Sequence, residues 1–398
     1  MRVLVTFAGG TGHYGPLAPL ARALADAGHE VHVACQASAA PVVAAHGFVV
    51  LPTTAETARP VRLTELLPLD AGREDQALRA AYAGSVARSR TRELVILGES
   101  WRPDVVVCDE VDFGAMVAAE RLGVPHATVL VMAAGSFVRE QVVGEPLRRL
   151  RAEHGLPDEP GLEMSARHLV LCPFPPSLRD PASALPPTAR LLRPAGALAG
   201  GRGGGSPAGP GSDAQGVDDG VPSPAGDAAR PLVYFSLGTV FNLESGDLFA
   251  RVAAGLRELP ADVLVSLGAD LDPAVVGPQP DHVRVEGYVD QAAVVPRASV
   301  VVTHGGSGTV TAALAAGVPL VVLPMGADQP HNAARCAALG VGVVLDPVTV
   351  TPAQVRDAVG AVLTDPAYRR RARTIAVEAA ALPGPARAVG WVEDLARR

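Results

Sequence analysis

The apolar residues of this chain fall into short unbroken runs that alternate with longer segments of helical period. Residues 2–7 form the first run, which ends near a glycine pair, and in residues 16–27 the leucines recur on one helical face. Pro16 suits the first turn of that helix, and Gly28 suits the position just beyond its end. Because most runs are apolar throughout, we predict buried strands of parallel sheets with helices covering both faces.

The same alternation continues through both halves of the chain. In the first half it predicts strands at 30–35, 48–51, 104–108 and 126–130, with helices at 73–97 and 112–122. In the second half it predicts strands at 232–236, 263–267, 283–286, 299–303, 320–323 and 342–345, with helices at 248–258, 307–316, 329–339, 352–363, 366–380 and 387–396. The predicted fold class is α/β, with two doubly wound, Rossmann-like domains facing each other across a ligand-binding cleft.

A long segment without large apolar side chains separates the two halves. Residues 196–230 are rich in glycine, proline, serine and aspartate, and this composition buries too little apolar surface to offset the entropy of ordering it. We therefore predict a first domain over 1–195, a flexible linker over 196–230 and a second domain over 231–385. The last helix, within 386–398, is expected to pack back on the first domain.

Composition and charge narrow the functional classes. The chain has 398 residues and a formal net charge of −7, and all 34 basic residues are arginine. The absence of lysine excludes a lysine Schiff base, a P-loop lysine and a lysine general base. The four cysteines have no metal-binding spacing, and no apolar run approaches the length of a membrane span. We expect a cytoplasmic protein without a nucleic-acid or membrane partner.

The strongest chemical signal lies in residues 303–332. A predicted strand ends at Thr303, and a glycine-rich turn then opens a helix. The free N–H groups and positive dipole end of a helix bind anions, and glycines let the backbone approach a phosphate closely. The structural alternative is an ordinary tight turn between a strand and a helix. The residues of this turn that can hold a phosphate group are His304, Gly306, Ser307, Gly308 and Thr309.

Five motifs resemble those of one enzyme family in both order and spacing. They are AGGTGHYGPLAPLARAL, PDVVVCDEVDFGAMVAAERLGVP, VYFSLGT, GYVDQAAVVPRA and HGGSGT…ADQPHN. With them the chain resembles bacterial family 1 glycosyltransferases, which attach sugars to polyketides and other natural products. The resemblance implies an inverting enzyme of the glycosyltransferase B-type fold. Its first domain would bind a small-molecule acceptor and its second a nucleotide sugar. We also expect no metal and no other cofactor, and a monomer or homodimer.

The resemblance makes the phosphate held by the glycine-rich turn the diphosphate of a nucleotide sugar, and it implies roles for single residues of the second domain outside that turn. The residues concerned are Ser236 and Thr239 for the diphosphate, Tyr288, Val289 and Gln291 for the nucleobase, and Asp328 and Gln329 for the sugar hydroxyls. A carboxylate beside an amide suits a polyol, because together they offer acceptors and donors.

His13 and Asp109 are the predicted catalytic residues. His13 stands in the predicted loop after the first strand, at the sheet edge where open α/β sheets carry their catalytic groups. A neutral imidazole there can take the proton of an acceptor hydroxyl, and Asp109, which the resemblance pairs with it, would orient the ring. The alternatives are that His13 caps the following helix and that Asp109 caps the helix before Phe113.

The donor and the acceptor are less well defined by the sequence. Ala312 occupies a position where many UDP-sugar enzymes of this family have a ribose-binding glutamate, which favours a dTDP-deoxysugar over a UDP-sugar. The acceptor would lie against the loops at 54–80 and 132–165 and would be a lipophilic natural product glycosylated on oxygen. Val131, Met132 and Phe137 fit an apolar acceptor pocket and a domain core equally well.

Three alternatives remain from the residues alone. Residues 10–15 satisfy the G-x-G-x-x-G pattern of NAD(P)-dependent oxidoreductases, but Cys35 and Gln36 stand where an acidic ribose ligand is expected. Asp270 and Asp272 form a D-x-D of the kind that holds a metal ion, in a setting typical of a turn. A sugar-nucleotide epimerase or a non-catalytic homologue would share the fold.

Overall fold

The computed structural model describes residues 1–54, 62–194, 230–239 and 241–398. The predicted linker, 196–230, lies outside these residues except for Arg230. Strands of the first half are β1 (Arg2–Thr6), β2 (Glu30–Gln36), β3 (Val49–Thr53), β4 (Val105–Asp109), β5 (His126–Val129), β6 (Leu169–Cys172) and β7 (Ala189–Leu191). Strands of the second half are β8 (Leu232–Ser236), β9 (Asp262–Ser266), β10 (Val283–Glu286), β11 (Val300–Thr303), β12 (Leu320–Val322) and β13 (Gly342–Val344).

The helices alternate with these strands. In the first half they are α1 (Thr11–Asp26), α2 (Ala40–Ala45), α3 (Ala71–Ala77), α4 (Ala87–Trp101), α5 (Phe113–Leu122), α6 (Glu140–Glu153) and α7 (Glu163–Ala166), and a π-helical stretch, Leu78–Val86, joins α3 to α4. In the second half they are α8 (Leu248–Leu256), α9 (Gln291–Val294), α10 (Ser307–Ala315), α11 (Gln329–Ala338), α12 (Pro352–Thr364), α13 (Pro366–Ala381) and α14 (Pro385–Ala396).

Both sheets are parallel throughout their described strands. The first has the order β3-β2-β1-β4-β5-β6-β7 and the second β10-β9-β8-β11-β12-β13. In each, the strand order reverses beside the first strand of the domain, so two crossovers leave a crevice at the carboxyl edge. The predicted α/β fold class with two Rossmann-like domains is confirmed.

The apolar runs form the cores, as their continuous character requires. One buried cluster surrounds the first sheet and a second lies on one face of the second sheet. A third cluster contains residues of both halves, such as Phe174 and Tyr234, so apolar contact continues from one domain to the other. Helix α14 places Ala388, Val392 and Leu395 in the core of the first domain.

Helix α1 begins five residues earlier than the sequence pattern predicted. It starts at Thr11, so Pro16 lies inside the helix and not at its first turn. The residue before a proline is normally disfavoured in helical geometry because the ring meets its Cβ, but Gly15 has no Cβ and removes that contact. The predicted loop that carries His13 is therefore the first turn of a helix.

The prediction also missed elements between residues 130 and 195. Helix α6 contains Pro146, and a proline in the sequence normally indicates the end of a helix. The edge strand β7 is only three residues long, which is too short for a clear pattern. The predicted helix at 73–97 is continuous in the structure, but its middle part is the π-helical stretch Leu78–Val86.

A fully buried arginine ties four elements of the first domain together. Arg90 of α4 donates from Nε and Nη2 to the two carboxylate oxygens of Asp112 at 2.8 and 2.6 Å. Its Nη1 donates to Oγ1 of Thr53 at 2.9 Å, and its Nη2 also donates to Thr6. Asp112 in turn accepts the N–H of Ala115 and caps α5. All these charges and donors are paired, as burial requires.

We predict that Arg90→Met destabilises the fold by about 3–5 kcal/mol, because it leaves the Asp112 carboxylate buried and unpaired. Urea unfolding of the variant measures the loss. The double variant Arg90→Met/Asp112→Asn should recover part of it, since asparagine keeps the helix cap without a charge. A single variant as stable as the wild type would contradict this account.

Candidate active site

The segments that follow the strands of the two domains meet across one cleft. The N–H of Ala133, just beyond β5, donates to Oγ of Ser307 at the start of α10, at 2.7 Å. The N–H of Thr64 donates to the carbonyl of Leu243 at 2.7 Å. The carboxyl edges of both sheets thus border the same space, which is where ligands of open α/β sheets bind.

His13 and Asp109 form a hydrogen-bonded pair on the first-domain side. Nδ1 of His13 lies 3.1 Å from Oδ2 of Asp109, whose side chain is fully buried at the end of β4. The carboxylate also accepts the N–H groups of Ala8, Val111 and Asp112 at 2.7–2.9 Å. Helix α5 is capped by Asp112 and not by Asp109, so the alternative role of Asp109 as that cap is wrong.

The environment of the His13 ring sets its basicity. Burial by itself lowers the pKa of the imidazole, but the charge and hydrogen bond of Asp109 oppose this, and the pKa is raised overall. Asp328 of the second domain adds to the rise in the pKa of His13 through its negative charge.

Two further residues confine the same ring. Gly9 has a φ of +134°, and a Cβ there would lie 2.8 Å from Cδ2 of His13, so only glycine fits. The ring of Tyr82 is nearly parallel to that of His13, at 13° and 6.2 Å between centroids. Burial, with the charge of Asp109, raises the pKa of Tyr82 to about 12. Sequence reasoning missed Tyr82, because a π-helical stretch does not follow the helical period.

The glycine-rich turn lies on the opposite side of the cleft. Its N-cap is Gly306, and α10 starts at Ser307, with Gly308 exposed at the helix end. The His304 ring is buried against the backbone of Gly238 and Gly306. Burial lowers the pKa of His304 to about 4, so this imidazole is neutral at pH 7.

The hydroxyl of Ser307 makes three hydrogen bonds within the protein. It donates to Oδ2 of Asp328 at 2.6 Å and accepts from Ala133 and from Nδ2 of Asn332 at 2.7 and 3.0 Å. Asn332 is fully buried and also accepts the N–H of Ala134 at 3.1 Å. Sequence reasoning missed Asn332 as a member of this site, although it ends the ADQPHN motif.

Asp328 and Gln329 stand where α11 begins. Burial raises the pKa of Asp328, while the hydrogen bonds from Ser307 and Asn332 act in the opposite direction. The amide oxygen of Gln329 accepts the N–H groups of Met325 and Gly326 at 2.8 and 3.2 Å. Gln329 therefore shapes the turn before Asp328.

The remaining predicted donor residues lie around α10. Ser236 ends β8 in register with Thr303 of β11, and Thr239 follows in the next turn. Gln291 opens α9 and its Oε1 lies 3.4 Å from Oγ1 of Thr309, which brings the nucleobase segment to the glycine-rich turn. Tyr288 is 77% exposed and Val289 half-buried, and neither has a hydrogen bond that connects it to the turn among the described contacts.

The structure also places the residues for which the sequence left alternative roles. Val131, Met132 and Phe137 are buried in the core cluster of the first domain. Residues 12–15 lie within α1, and Asp272 accepts the N–H of Ala274 at 2.8 Å to cap a short turn. Among the residues that the structure describes, His, Cys, Asp and Glu form no group of three or more placed to hold a metal ion.

Comparison with known proteins identifies the family. The models of the N-terminal and C-terminal domains of erythromycin biosynthesis protein CIII-like proteins match residues 22–185 and 250–395. The chain belongs to this family. It is a bacterial natural-product glycosyltransferase, as the motifs indicated. In the described part of this glycosyltransferase, no helix is long and apolar enough to cross a membrane.

Individual relatives of the glycosyltransferase match along its whole length. The 10-deoxymethynolide desosaminyltransferase of Streptomyces venezuelae is 30% identical, over 100% of this chain and 97% of its own. The TDP-daunosamine transferase DnrS of Streptomyces peucetius is 27% identical, over 100% and 97%. Among solved structures, the glycosyltransferase SnogD from Streptomyces nogalater is 25% identical, with a TM-score of 0.75 over 100% of this chain and 99% of that one.

Next to the His13–Asp109 pair, the buried carboxyl group of Glu110 supports the segment that contacts the second domain. One oxygen of Glu110 accepts the N–H groups of Val131 and Met132, both at 2.6 Å. Burial raises its pKa from 4.5 to about 7, against the opposing charge of Arg179. The next two N–H groups, those of Ala133 and Ala134, bind the second domain.

We predict that Glu110→Gln becomes increasingly stabilising, relative to the wild type, as the pH rises from about 4.5 to about 7. The raised pKa means that the wild type loses stability as the carboxyl ionises over this interval, whereas glutamine keeps the acceptor oxygen and carries no charge. Urea unfolding of both proteins at several pH values gives the difference in their free energies of unfolding. If this difference did not depend on pH, the raised pKa of Glu110 would be contradicted.

Proposed function

We propose that this glycosyltransferase transfers a deoxysugar from a dTDP-sugar to a hydroxyl group of a lipophilic natural product, with inversion at the anomeric carbon. The observation that carries the proposal is the contact of Nδ1 of His13 with the buried carboxylate of Asp109, opposite the start of α10. The reaction needs a base for the acceptor and an anion site for the leaving group, and the two domains supply one each.

The base acts through the ring nitrogen that Asp109 leaves unoccupied. When the Nδ1–H group donates a hydrogen bond to Asp109, Nε2 carries the lone pair and takes the proton of the acceptor hydroxyl as its oxygen attacks the anomeric carbon. The carboxylate then stabilises the imidazolium without taking up its proton. One base and no enzymic nucleophile make a single displacement, which inverts the anomeric centre.

The leaving diphosphate would be received by the second domain. The N–H groups and dipole at the start of α10 stabilise negative charge by about 0.3–2 kcal/mol per charge. The neutral His304 can add a ring N–H, while Ser236, Thr239 and Thr309 can add hydroxyl donors. Stabilisation of the negative charge by these hydrogen-bond donors is our reason to propose a metal-independent reaction whose only co-substrate is the nucleotide sugar.

Two observations favour a dTDP-linked donor. Ala312 in α10 provides no carboxylate for a second ribose hydroxyl, which 2′-deoxyribose lacks. The relative from S. peucetius is named as a transferase of TDP-daunosamine. Asp328, bound by Ser307 and Asn332, would then accept hydrogen bonds from the sugar, with Gln329 beside it.

We expect His13→Ala to lower kcat by about 10²–10⁴-fold, because it removes the base but leaves the second domain intact. Calorimetric binding of dTDP should be unchanged. His154→Ala, at the end of α6, is a matched control that removes a histidine of the same domain. Turnover of His13→Ala at the wild-type rate would refute the assignment of the base.

The preference for dTDP over UDP is a separate prediction. Calorimetry should give a lower Kd for dTDP than for UDP. Ala312→Glu should reduce the difference between the Kd values of dTDP and UDP, since the added carboxylate can accept a hydrogen bond from the ribose 2′-hydroxyl of UDP. Tighter binding of UDP by the wild type would exclude the proposed donor class without affecting the role of His13.

A further inference from the structure

A carboxylate of the first domain reaches the donor side of the cleft. Oε2 of Glu74, in α3, accepts the N–H of Ala327 at 2.9 Å, although the two residues are 253 positions apart in the chain. Oε1 of Glu74 approaches the same turn, because a Cβ at Gly326 would lie 3.0 Å from it and 2.9 Å from the ring of Phe241. The absence of a Cβ at position 326 leaves room for this close approach.

The backbone that Glu74 contacts is in an uncommon conformation. Ala327 has a φ of +51°, in the left-handed region that residues with a Cβ rarely adopt. The turn is held on its other side by Gln329, which accepts from Met325 and Gly326. Asp328 directly follows the strained residue, so the orientation of its carboxylate depends on how this turn is held.

The same helical segment reaches the catalytic histidine. Helix α3 continues into the π-helical stretch Leu78–Val86, which carries Tyr82 over the ring of His13. One continuous helical segment therefore contacts the base with its later part and the turn before Asp328 with its earlier part. The base and the sugar-binding carboxylate are thereby placed relative to each other across the cleft.

We propose that Glu74 is a positioning residue that couples the acceptor domain to the donor sugar. Its carboxylate holds Ala327 in the left-handed conformation and so fixes Asp328 for the sugar when the domains are closed. This inference rests on the proposed function, in which Asp328 contacts the donor sugar. Glu74 acts through the backbone of the turn and not by touching the sugar.

The test compares two substitutions of Glu74. Glu74→Ala removes the acceptor, and we expect kcat/KM for dTDP-rhamnose, a deoxysugar donor, followed by dTDP release, to fall about tenfold, the effect of losing a hydrogen bond to a charged group. Glu74→Gln keeps an acceptor oxygen and should retain most activity. The Kd of dTDP alone should not change in either variant, because dTDP has no sugar for Asp328 to bind.

A second-site substitution separates positioning from direct contact. Ala327→Gly makes a positive φ easy to adopt, so in the Glu74→Ala background it should recover about fivefold of the lost activity. A residue that bound the sugar itself would not be replaced in this way. Failure of Ala327→Gly to restore activity, or unchanged activity of Glu74→Ala, would overturn the proposal.

Asp75→Asn is the matched control on the same helix. Asp75 pairs with Arg139 within the first domain, and the loss of this partly exposed pair should leave donor turnover unchanged.

Hydrogen exchange of the amides at 325–329 provides a readout that needs no donor. Faster exchange in Glu74→Ala than in Asp75→Asn supports the contact, and equal exchange refutes it. If the wild type turned over no dTDP-sugar, the proposed function would fail while this exchange result still decided the contact.

Discussion

The active-site side of the first domain depends on one buried carboxylate. Asp109 has no access to solvent, so its charge must be satisfied by protein groups. It accepts from three backbone N–H groups, which belong to the segments after β1 and β4, and from the ring of His13. The hydrogen bonds that make the buried charge tolerable are thus the ones that join the two strand ends and orient the imidazole. The stability of the fold and the orientation of His13 therefore depend on the same residue.

The contact between the domains follows from a run of four consecutive N–H groups. Those of Val131 and Met132 bind Glu110 within the first domain, and those of Ala133 and Ala134 bind Ser307 and Asn332 in the second. Each donor at this buried place has an acceptor, which makes the closed arrangement compatible with burial. The consequence at the start of α10 is that the Ser307 hydroxyl is already hydrogen-bonded within the protein, whereas the backbone N–H groups of the first helical turn have no acceptor within the helix.

The sequence predicted what depends on local pattern. The continuous apolar runs identified the main strands of both sheets, and the glycine-rich turn after Thr303 identified the start of α10. It did not predict that α1 begins at Thr11, because Pro16 is normally a sign of a first turn. Tyr82 was missed because the π-helical stretch does not follow the helical period. Glu74 and Asn332 were missed because the contacts that matter are distant in the chain: Glu74 meets Ala327 across 253 positions, and Asn332 meets Ala134 across 198.

The two histidines of the cleft illustrate why residue type alone does not assign a base. His304 is buried without a carboxylate partner among the described contacts, and desolvation lowers its pKa to about 4. His13 is desolvated too, yet Asp109, and to a lesser extent Asp328, reverse the effect and raise its pKa. Only His13 therefore gains from becoming an imidazolium, while His304 stays neutral and keeps a ring N–H to donate. Because Asp328 belongs to the second domain, part of the rise in the pKa of His13 comes from across the cleft, so both domains set the properties of this imidazole.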